Sequence, residues 1–292
     1  MPFNPPLKMT MMAGNAGAYK GNLPTQQLLL RGIMAGIYIA MGAALCTVCS
    51  TGSVGGIKSL IAGAVFPVGL IAIVMTGAEL FTGDAMLVPM ACMMRKSTVG
   101  KMLKNWFWVY LGNLIGSLIW AYVMFVGPFV IGSADGMAIN DFGFNAVTVA
   151  VGKTLTYKEA GMMGLWSCFI KGIGCNYLVN IAIMLAITSD DMIGKFFGIW
   201  FPIMAFVSTG FEHSVANMYF LPVGLFLANR YPAAITKVGG LLAKHGGITW
   251  GDVWIRNIIP ATLGNIIGGG VFVGCAYYHA FKKEIPPEEA AK

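Results

Sequence analysis

The chain contains little charge and almost no histidine. Only 11% of its 292 residues are Asp, Glu, Lys or Arg, whereas a soluble domain carries roughly 25%. Of its three histidines only His213 falls inside an apolar stretch, so the facing pairs that hold a haem between spans are missing. Since 57% of the residues are hydrophobic, these shortages exclude an ordinary water-soluble fold and argue against a haem-containing redox subunit.

Disulfide, catalytic and secretion signals are absent as well. All six cysteines lie in or beside apolar stretches, and the C-x-x-C of Cys46 and Cys49 has no His or further Cys near it. We interpret the cysteines as packing residues. No nucleophile–base set or metal cluster is apparent, so neither catalysis nor a cofactor is predicted. Residues 1–20 have no apolar core, so no signal peptide is predicted before the first span.

The chain instead contains six apolar segments, each long enough to cross a bilayer, which takes about 20 helical residues. The second and fifth are too long for one plain helix and carry polar residues and prolines near their middles. We therefore predict an all-α membrane protein in which these two helices are broken within the membrane. A transmembrane domain at 28–278 then lies between an N-terminal segment, 1–27, and a tail, 279–292. The predicted spans are about 28–50, 60–94, 105–131, 161–188, 196–228 and 257–278.

The net charge of +7 lies in short segments between the apolar stretches, a placement that sets membrane topology rather than indicating nucleic-acid binding. With six spans, both termini share a side with the loops after spans two and four. That side carries eleven Lys and Arg residues against seven on the other. We predict a multi-pass protein of the cell membrane with both termini cytoplasmic. Segment 1–27 either covers the cytoplasmic mouth of the membrane domain or is a disordered lead-in.

The two halves of the chain share short motifs in the same order. Thr76–Glu79 and Thr209–Glu212 both read T-G-x-E, and Leu-Gly-Asn ends at both Asn113 and Asn265. Each half has three spans, an odd number, so the halves insert in opposite senses. Inverted repeats place a transport pathway at their shared axis, where broken helices meet. The predicted repeats and their site segments are about 28–131 and 161–278, with Thr76–Pro89 and Thr209–Pro222.

The two predicted breaks contain ionisable side chains. Because such groups cost about 2.5 kcal/mol or more at membrane depth, they are predicted to be functional or paired. His213 is predicted to lend a proton or a hydrogen bond to a passing anion, and the alternative is a packed neutral histidine bonded to Glu212 or Thr82. Glu79 and Glu212 are predicted to secure the broken helices by accepting backbone N–H groups, with proton relay as the alternative.

Other residues inside the spans leave two interpretations open. Asn113, Asn176 and Asn265 either bridge helices or contact a ligand, and we expect Asn176 and Asn265 to face the pathway. Candidates for apolar constrictions, with ordinary helix packing as the alternative for any one of them, are Phe66, Leu70, Phe81, Val179 and Phe206.

Three stretches are the most specific: Glu79–Gly83, Gly210–Met218 and Leu263–Gly270. Through them, the chain from about Leu28 to Tyr278 resembles the formate/nitrite transporter family. The resemblance implies an aquaporin-like fold of six spans, a pore in each protomer and assembly as a homopentamer. It also implies transport of small monovalent anions such as formate, nitrite, hydrosulfide or lactate-like acids.

The resemblance also implies roles for particular residues. His213 corresponds to the central pore histidine, and Thr82 to the threonine of the loop that breaks the second helix. Asn176 and Asn265 match the family's pore asparagines. Hydrophobic constriction positions are matched by Phe66, Leu70, Val179 and Phe206.

One region departs from the family pattern. The family carries a vestibule lysine that attracts anions shortly before the fourth span. Here Lys153 and Lys158 are both candidates, because neither keeps the usual distance to the asparagine matched by Asn176.

Together these features predict transport of a small anion, with formate first and proton linkage through His213. Nitrite or hydrosulfide are alternatives within the same family, because a pore that selects size and charge discriminates weakly among such ions. A neutral-solute channel is a further alternative, but it would not need a histidine flanked by a carboxylate at the break. The predicted partners are the anion, the lipid bilayer and further copies of the chain.

Overall fold

The computed structural model describes residues 3–133 and 136–286. The predicted segments 1–27 and 279–292 therefore extend beyond the described residues at 1–2 and 287–292. Two short strands form an antiparallel hairpin in which Val130 faces Ile139 and Ser133 faces Gly136. In chain order the elements are α1 (Pro6–Asn22), α2 (Thr25–Cys49), α3 (Gly55–Val65), α4 (Val68–Thr76), α5 (Phe81–Met93), α6 (Val99–Val126), β1 (Val130–Ser133), β2 (Gly136–Ile139), α7 (Asp141–Lys153), α8 (Leu155–Glu159), α9 (Gly161–Thr188), α10 (Met192–Ser208), α11 (Ser214–Arg230), α12 (Pro232–Val238), α13 (Gly240–His245) and α14 (Trp250–Phe281).

Within the described residues, five helical segments are long and apolar enough to cross a membrane: α2, α3 with α4, α6, α9 and α14. Helices α5 and α10 are apolar but shorter. The second predicted span is divided among α3, α4 and α5, and the fifth between α10 and α11. The protein is therefore a helical membrane protein whose apolar helices match the predicted hydrophobic segments.

Close approach of helix backbones holds this helical body together. Gly36 of α2 lies against the main chain of Asn113 in α6, and Gly268 of α14 lies against the main chain of Ile173 in α9. A Cβ at either glycine would collide with the opposing backbone. Small residues at helix crossings are the usual means of close packing where lipid supplies no hydrophobic drive.

The N-terminal segment is a helix rather than a disordered lead-in. Helix α1 packs along α5, and a Cβ at Gly17 would collide with the main-chain oxygen of Leu87. Asn4, which precedes α1, is hydrogen-bonded to the end of α9 and the turn after it. Its amide donates to the main-chain oxygen of Ile187 at 3.0 Å and to Asp190 Oδ1 at 3.0 Å. Gly14, Gly17 and Gly21 are buried on the packed face of this helix.

Candidate functional site between two helix breaks

The chain breaks its helices in the same way twice. Helix α4 ends at Thr76 and Gly77 follows with φ 75°, after which α5 begins at Phe81. Helix α10 ends before Thr209 and Gly210 follows with φ 74°, after which α11 begins at Ser214. A positive φ is accessible to glycine at little cost. After Gly77 and after Gly210 the chain can therefore turn away from the axis of the preceding helix.

Two asparagines clamp these breaks with matching hydrogen bonds. Asn113 Oδ1 accepts from the N–H of Phe81 at 2.9 Å, and its amide donates to the oxygens of Gly32 at 2.8 Å and Glu79 at 2.9 Å. Asn265 Oδ1 accepts from the N–H of Ser214 at 2.9 Å, and its amide donates to two carbonyl oxygens at 2.8 and 2.9 Å. Each asparagine thus satisfies one of the free N–H groups at a helix start.

The side chain of Asn265 is fully buried between α9 and the second break. Its three side-chain hydrogen bonds are all to main-chain groups of the protein. Of the two interpretations of the span asparagines, helix bridging describes the bonds of both Asn113 and Asn265.

The two glutamates accept hydrogen bonds mainly from side chains rather than from the backbone as expected. Glu212 accepts from Lys153 Nζ at 2.7 Å, from the Tyr157 hydroxyl at 2.7 Å and from the amide of Asn217 at 2.7 Å. Glu79 accepts from Lys20 Nζ at 2.6 Å. Both side chains are 2% exposed. At the starts of α5 and α11 it is Asn113 and Asn265 that accept the N–H groups of Phe81 and Ser214.

His213 connects the two breaks. Its Nδ1 accepts from the N–H of Ala216 at 3.0 Å and caps α11, and its Nε2 lies 3.3 Å from Thr82 Oγ1. A neutral imidazole has one donor and one acceptor nitrogen. Because Nδ1 is the acceptor here, the neutral ring carries its hydrogen on Nε2 and directs it toward Thr82. Protonation of Nδ1 would remove the cap at Ala216.

Two cavities adjoin this contact. The first, which we call the Lys153 cavity, measures about 230 Å³ and is lined by Lys153, His213, Phe66 and Phe206 among others. The rings of Phe66 and Phe206 meet edge to face with centroids 5.6 Å apart, and Phe206 stacks on His213 at 5.8 Å. Lys58 also lines this cavity and donates to the side-chain oxygen of an asparagine, Asn145, at 2.9 Å.

The second, which we call the Lys20 cavity, measures about 330 Å³ and is lined by Lys20, Leu70, Glu79 and Asp84 among others. Gly83, the residue after Thr82, also lines it. The contact between His213 and Thr82 therefore lies between the two cavities.

The remaining predicted residues lie in different surroundings. Asn176 is fully buried, its amide donates to the oxygens of Thr82 at 3.0 Å and Asn265 at 2.6 Å, and its Oδ1 has no hydrogen-bond partner among the described residues. Val179 is buried on α9. Phe81 packs against Trp106 and Tyr110 of α6 and is not among the residues lining either cavity, so helix packing describes its contacts.

The two vestibule lysine candidates have different partners. Lys153 Nζ lies 2.7 Å from Glu212 and lines the cavity beside His213. Lys158 Nζ lies 2.9 Å from Asp252 and is not among the residues lining that cavity. The geometry therefore favours Lys153 over Lys158 as the lysine associated with the break.

Sequence reasoning missed Lys20 and Asp84. Lys20 contacts Glu79 at 2.6 Å and Asp84 at 3.1 Å. A signal was present, because Lys20 precedes Glu79 by 59 residues, and Lys153 precedes Glu212 by the same 59. The equal spacing extends the likeness between the two halves to α1 and α7, which precede the first apolar segment of each half.

The sequence matches the family described as "Formate/nitrite transporter" over residues 8–279. The chain belongs to this family. It is 39% identical over 91% of its length to the "Probable formate transporter" of Methanothermobacter thermautotrophicus, covering 92% of that protein. It is 33% identical over 97% of its length to the "Formate channel BtFdhC" of Bacillus thuringiensis, covering 98% of it.

Solved structures of the formate/nitrite transporter family share the fold. A structure titled "Pentameric formate channel with formate bound" superposes with a TM-score of 0.73 at 30% identity, covering 88% of this chain and 98% of that one. A second, titled "FNT family ion channel", gives a TM-score of 0.74 at 25% identity, covering 93% and 98%.

Proposed function

We propose that this member of the formate/nitrite transporter family conducts formate across the cell membrane, linked to a proton through His213. The observation that carries the proposal is the contact of His213 with Thr82 between two lysine-containing cavities. The names of the relatives that transport formate support the choice of substrate. Nitrite and hydrosulfide are competitors for the same pore.

The proposed architecture is six membrane crossings in two inverted three-helix repeats, residues 28–131 and 161–278, with an aquaporin-like course. Helices α3 to α5 form the second crossing, and α10 with α11 the fifth. The matched clamps of Asn113 and Asn265 support this arrangement, since equivalent residues make equivalent bonds in the two halves. The excess of basic residues supports cytoplasmic segments at 1–27 and 279–292.

The proposed assembly is a homopentamer with one pore in each protomer. Large side chains on the outer surface, among them Phe107 and Phe201, are 61% and 60% exposed in the single chain. Exposed apolar surface on this scale needs lipid or another protein copy to cover it. The pentameric structure that shares the fold supports a copy of the chain as part of that cover.

Entry of the anion is proposed through the Lys153 cavity. A cavity with basic residues in its wall raises the local concentration of anions. The aromatic rings of Phe66 and Phe206 then form an apolar constriction. Leu70 and Val179 are proposed to line the constriction on the other side of the break. A bare charge in such a constriction loses its hydration at a high cost, which a neutral weak acid avoids.

His213 is proposed to act at this constriction in two states. As a neutral ring it donates a hydrogen bond from Nε2 to the anion or to Thr82. As an imidazolium it can give its Nε2 proton to formate, which leaves a neutral ring with its hydrogen on Nδ1. Loss of that hydrogen and uptake of a proton at Nε2 then restore the neutral ring that caps Ala216. The unpartnered Oδ1 of Asn176 is proposed to accept from the acid that forms. Glu212 is proposed to hold Lys153 rather than to relay the proton, and Glu79 is proposed to hold Lys20.

Uptake of labelled formate into proteoliposomes tests the proposal. We expect saturable uptake that rises as the external pH falls. Excess nitrite or hydrosulfide should reduce this uptake if that ion competes for the same pore. Absence of formate uptake in vesicles that still pass nitrite or hydrosulfide would contradict formate as the substrate. Equal swelling in glycerol and in formate would instead indicate a neutral-solute channel.

A further inference from the structure

The two lysine–glutamate clusters of the protein share a lysine and a glutamate but differ in the donors around them. Tyr157 and Asn257 also donate to the carboxylate of Glu212, at 2.7 and 3.1 Å, whereas among the described residues only Lys20 donates to the carboxylate of Glu79. The fifth residue after Glu212 is Asn217, and the fifth residue after Glu79 is Asp84. The amide of Asn217 donates to Glu212 Oε2 at 2.7 Å. An ionised Asp84 has no hydrogen to donate in the corresponding place. The cluster at Lys20 therefore lacks a donor that the cluster at Lys153 has.

Asp84 is buried without hydrogen-bond donors of its own. Its side chain is 1% exposed, and neither carboxyl oxygen accepts a hydrogen bond from any described residue. Lys20 Nζ lies 3.1 Å from Asp84 Oδ1 but not in line for a hydrogen bond. Buried carboxylates are ordinarily hydrogen-bonded. Because Asp84 lines the Lys20 cavity, solvent protons can reach it.

The positive charges of the Lys20 cavity are unevenly placed around its two carboxylates. Glu79 and Asp84 both contact Lys20. Arg31 of α2, whose side chain is 29% exposed, approaches Glu79 at 3.9 Å, and no ion pair joins it to Asp84 among the described residues. Burial alone would lower the pKa of Lys20, but the charges of Asp84 and Glu79 outweigh it and raise that pKa above its usual value. Lys20 is therefore the fixed cation of the cluster.

Few other groups face Asp84 from the elements packed on α5. Helix α1 contributes Tyr19 beside Lys20. Helix α6 contributes the uncharged Trp106, whose indole donates to the main-chain oxygen of Asp84 at 3.3 Å. Among the described residues that line the Lys20 cavity, α9 contributes only isoleucines and α14 contributes no titratable group. No further charge in this lining compensates the second carboxylate.

We propose that Asp84 and Glu79 hold one proton between them, so that the Lys20 cavity contains a proton-binding acid–carboxylate pair. The shared proton supplies the hydrogen bond between the two carboxyl groups, as the amide of Asn217 supplies one to Glu212. Two carboxylates that share a site do not both ionise readily, because like charges disfavour the second ionisation.

The pair has a consequence that rests on the proposed formate conduction. The O–H bond of Asp84 breaks and its proton forms an O–H bond with an incoming formate ion, giving formic acid and a carboxylate. That carboxylate regains a proton from hydronium in the cavity, so charge and atoms balance. The Lys20 cavity then supplies protons on its own side, independently of His213.

Infrared spectroscopy of the full-length protein in lipid tests the proton directly. At neutral pH we expect the C=O stretch of a buried protonated carboxyl group, its loss in Asp84→Asn and its loss in Glu79→Gln. The matched variant Asn217→Asp places the same pair in the other cluster, and we expect it to gain a second such band. An unchanged band in folded Asp84→Asn would overturn the proposal. Should Asp84→Asn not fold, an absent second band in Asn217→Asp would overturn it instead.

Equilibrium exchange of labelled formate, at equal pH on both sides, tests the consequence separately. We expect the wild-type exchange rate to contain a component that titrates with the infrared band, and that component to be lost in Asp84→Asn. A pH profile identical in the two proteins would refute the proton supply. If wild-type protein exchanges no formate, the proposed function fails, but the infrared result still decides whether the pair binds a proton.

Discussion

Exchanging His213 for asparagine or phenylalanine separates its three contributions to the pore. Both variants remove the titratable ring, but Asn keeps an oxygen that can cap Ala216 and an amide that can donate, whereas Phe keeps neither. Loss of the cap costs about 0.5–2 kcal/mol of stability. Loss of a hydrogen bond to an anion costs about 1.5–3 kcal/mol, which is roughly 10- to 150-fold in flux. We therefore expect His213→Phe to lose both stability and flux.

The assay is formate flux into proteoliposomes from pH 5 to 8 (the range in which histidine titrates), with thermal unfolding of each variant in detergent. We expect His213→Asn to unfold near the wild-type temperature and to keep part of the flux, but to lose the part of the acid rise that depends on the titratable ring. In His213→Phe we expect both fluxes to fall and the unfolding temperature to drop. A normal acid-stimulated rise in folded His213→Asn would refute the assignment of the proton to this ring.

Three further outcomes follow from other contacts. Asn265→Ala removes three hydrogen bonds to buried main-chain groups and leaves the Ser214 N–H without its acceptor. Because an unpaired buried donor costs about 1–3 kcal/mol, we expect the unfolding temperature to drop. A drop no greater than that of an exposed alanine substitution would contradict the clamp. Lys58→Met is expected to raise the apparent KM for formate. This effect should shrink at high salt and be absent in Lys58→Arg. An unchanged KM in Lys58→Met would contradict attraction of the anion by the Lys58 charge. Hydrogen bonds from Lys244 and His245 hold the pKa of Glu159 below its usual value, so their stabilisation is present at neutral pH and is lost as the pH falls through that lowered pKa. In the wild type, hydrogen exchange of the α13 amides should rise at acid pH. In Glu159→Gln it should be raised already at neutral pH. Equal pH profiles of exchange in the two proteins would contradict the contact.

The hydrophobic segments and the two break positions could be predicted because their signals are local. Runs of apolar residues define α2, α6, α9 and α14, and glycine beside polar residues marks each break. Segment 1–27 gave no such signal, since its glycines are equally typical of a loop. Their role becomes visible only when Gly17 is seen against the backbone of Leu87.

The identities of the residues at the site were easier to predict than their partners. His213 and Thr82 follow from the motifs, and they are in contact in the structure. The clamp role of Asn265 could not be read from a single helix, because it depends on where a carbonyl on α9 and an N–H at the start of α11 meet. The choice between Lys153 and Lys158 likewise depends on how α7 is placed relative to the second break.

The charge that attracts an anion into the Lys153 cavity need not come from Lys153. Glu212 lies 2.7 Å from that ammonium, so at the distance of an entering anion the two charges largely cancel. Lys58 lines the same cavity and donates to the uncharged Asn145, and among the described residues it has no carboxylate within ion-pair distance. Coulomb interactions at long range sum over net charge. We therefore expect Lys58 to supply the field that gathers anions, whereas Lys153 is bonded to Glu212 beside the break that contains His213.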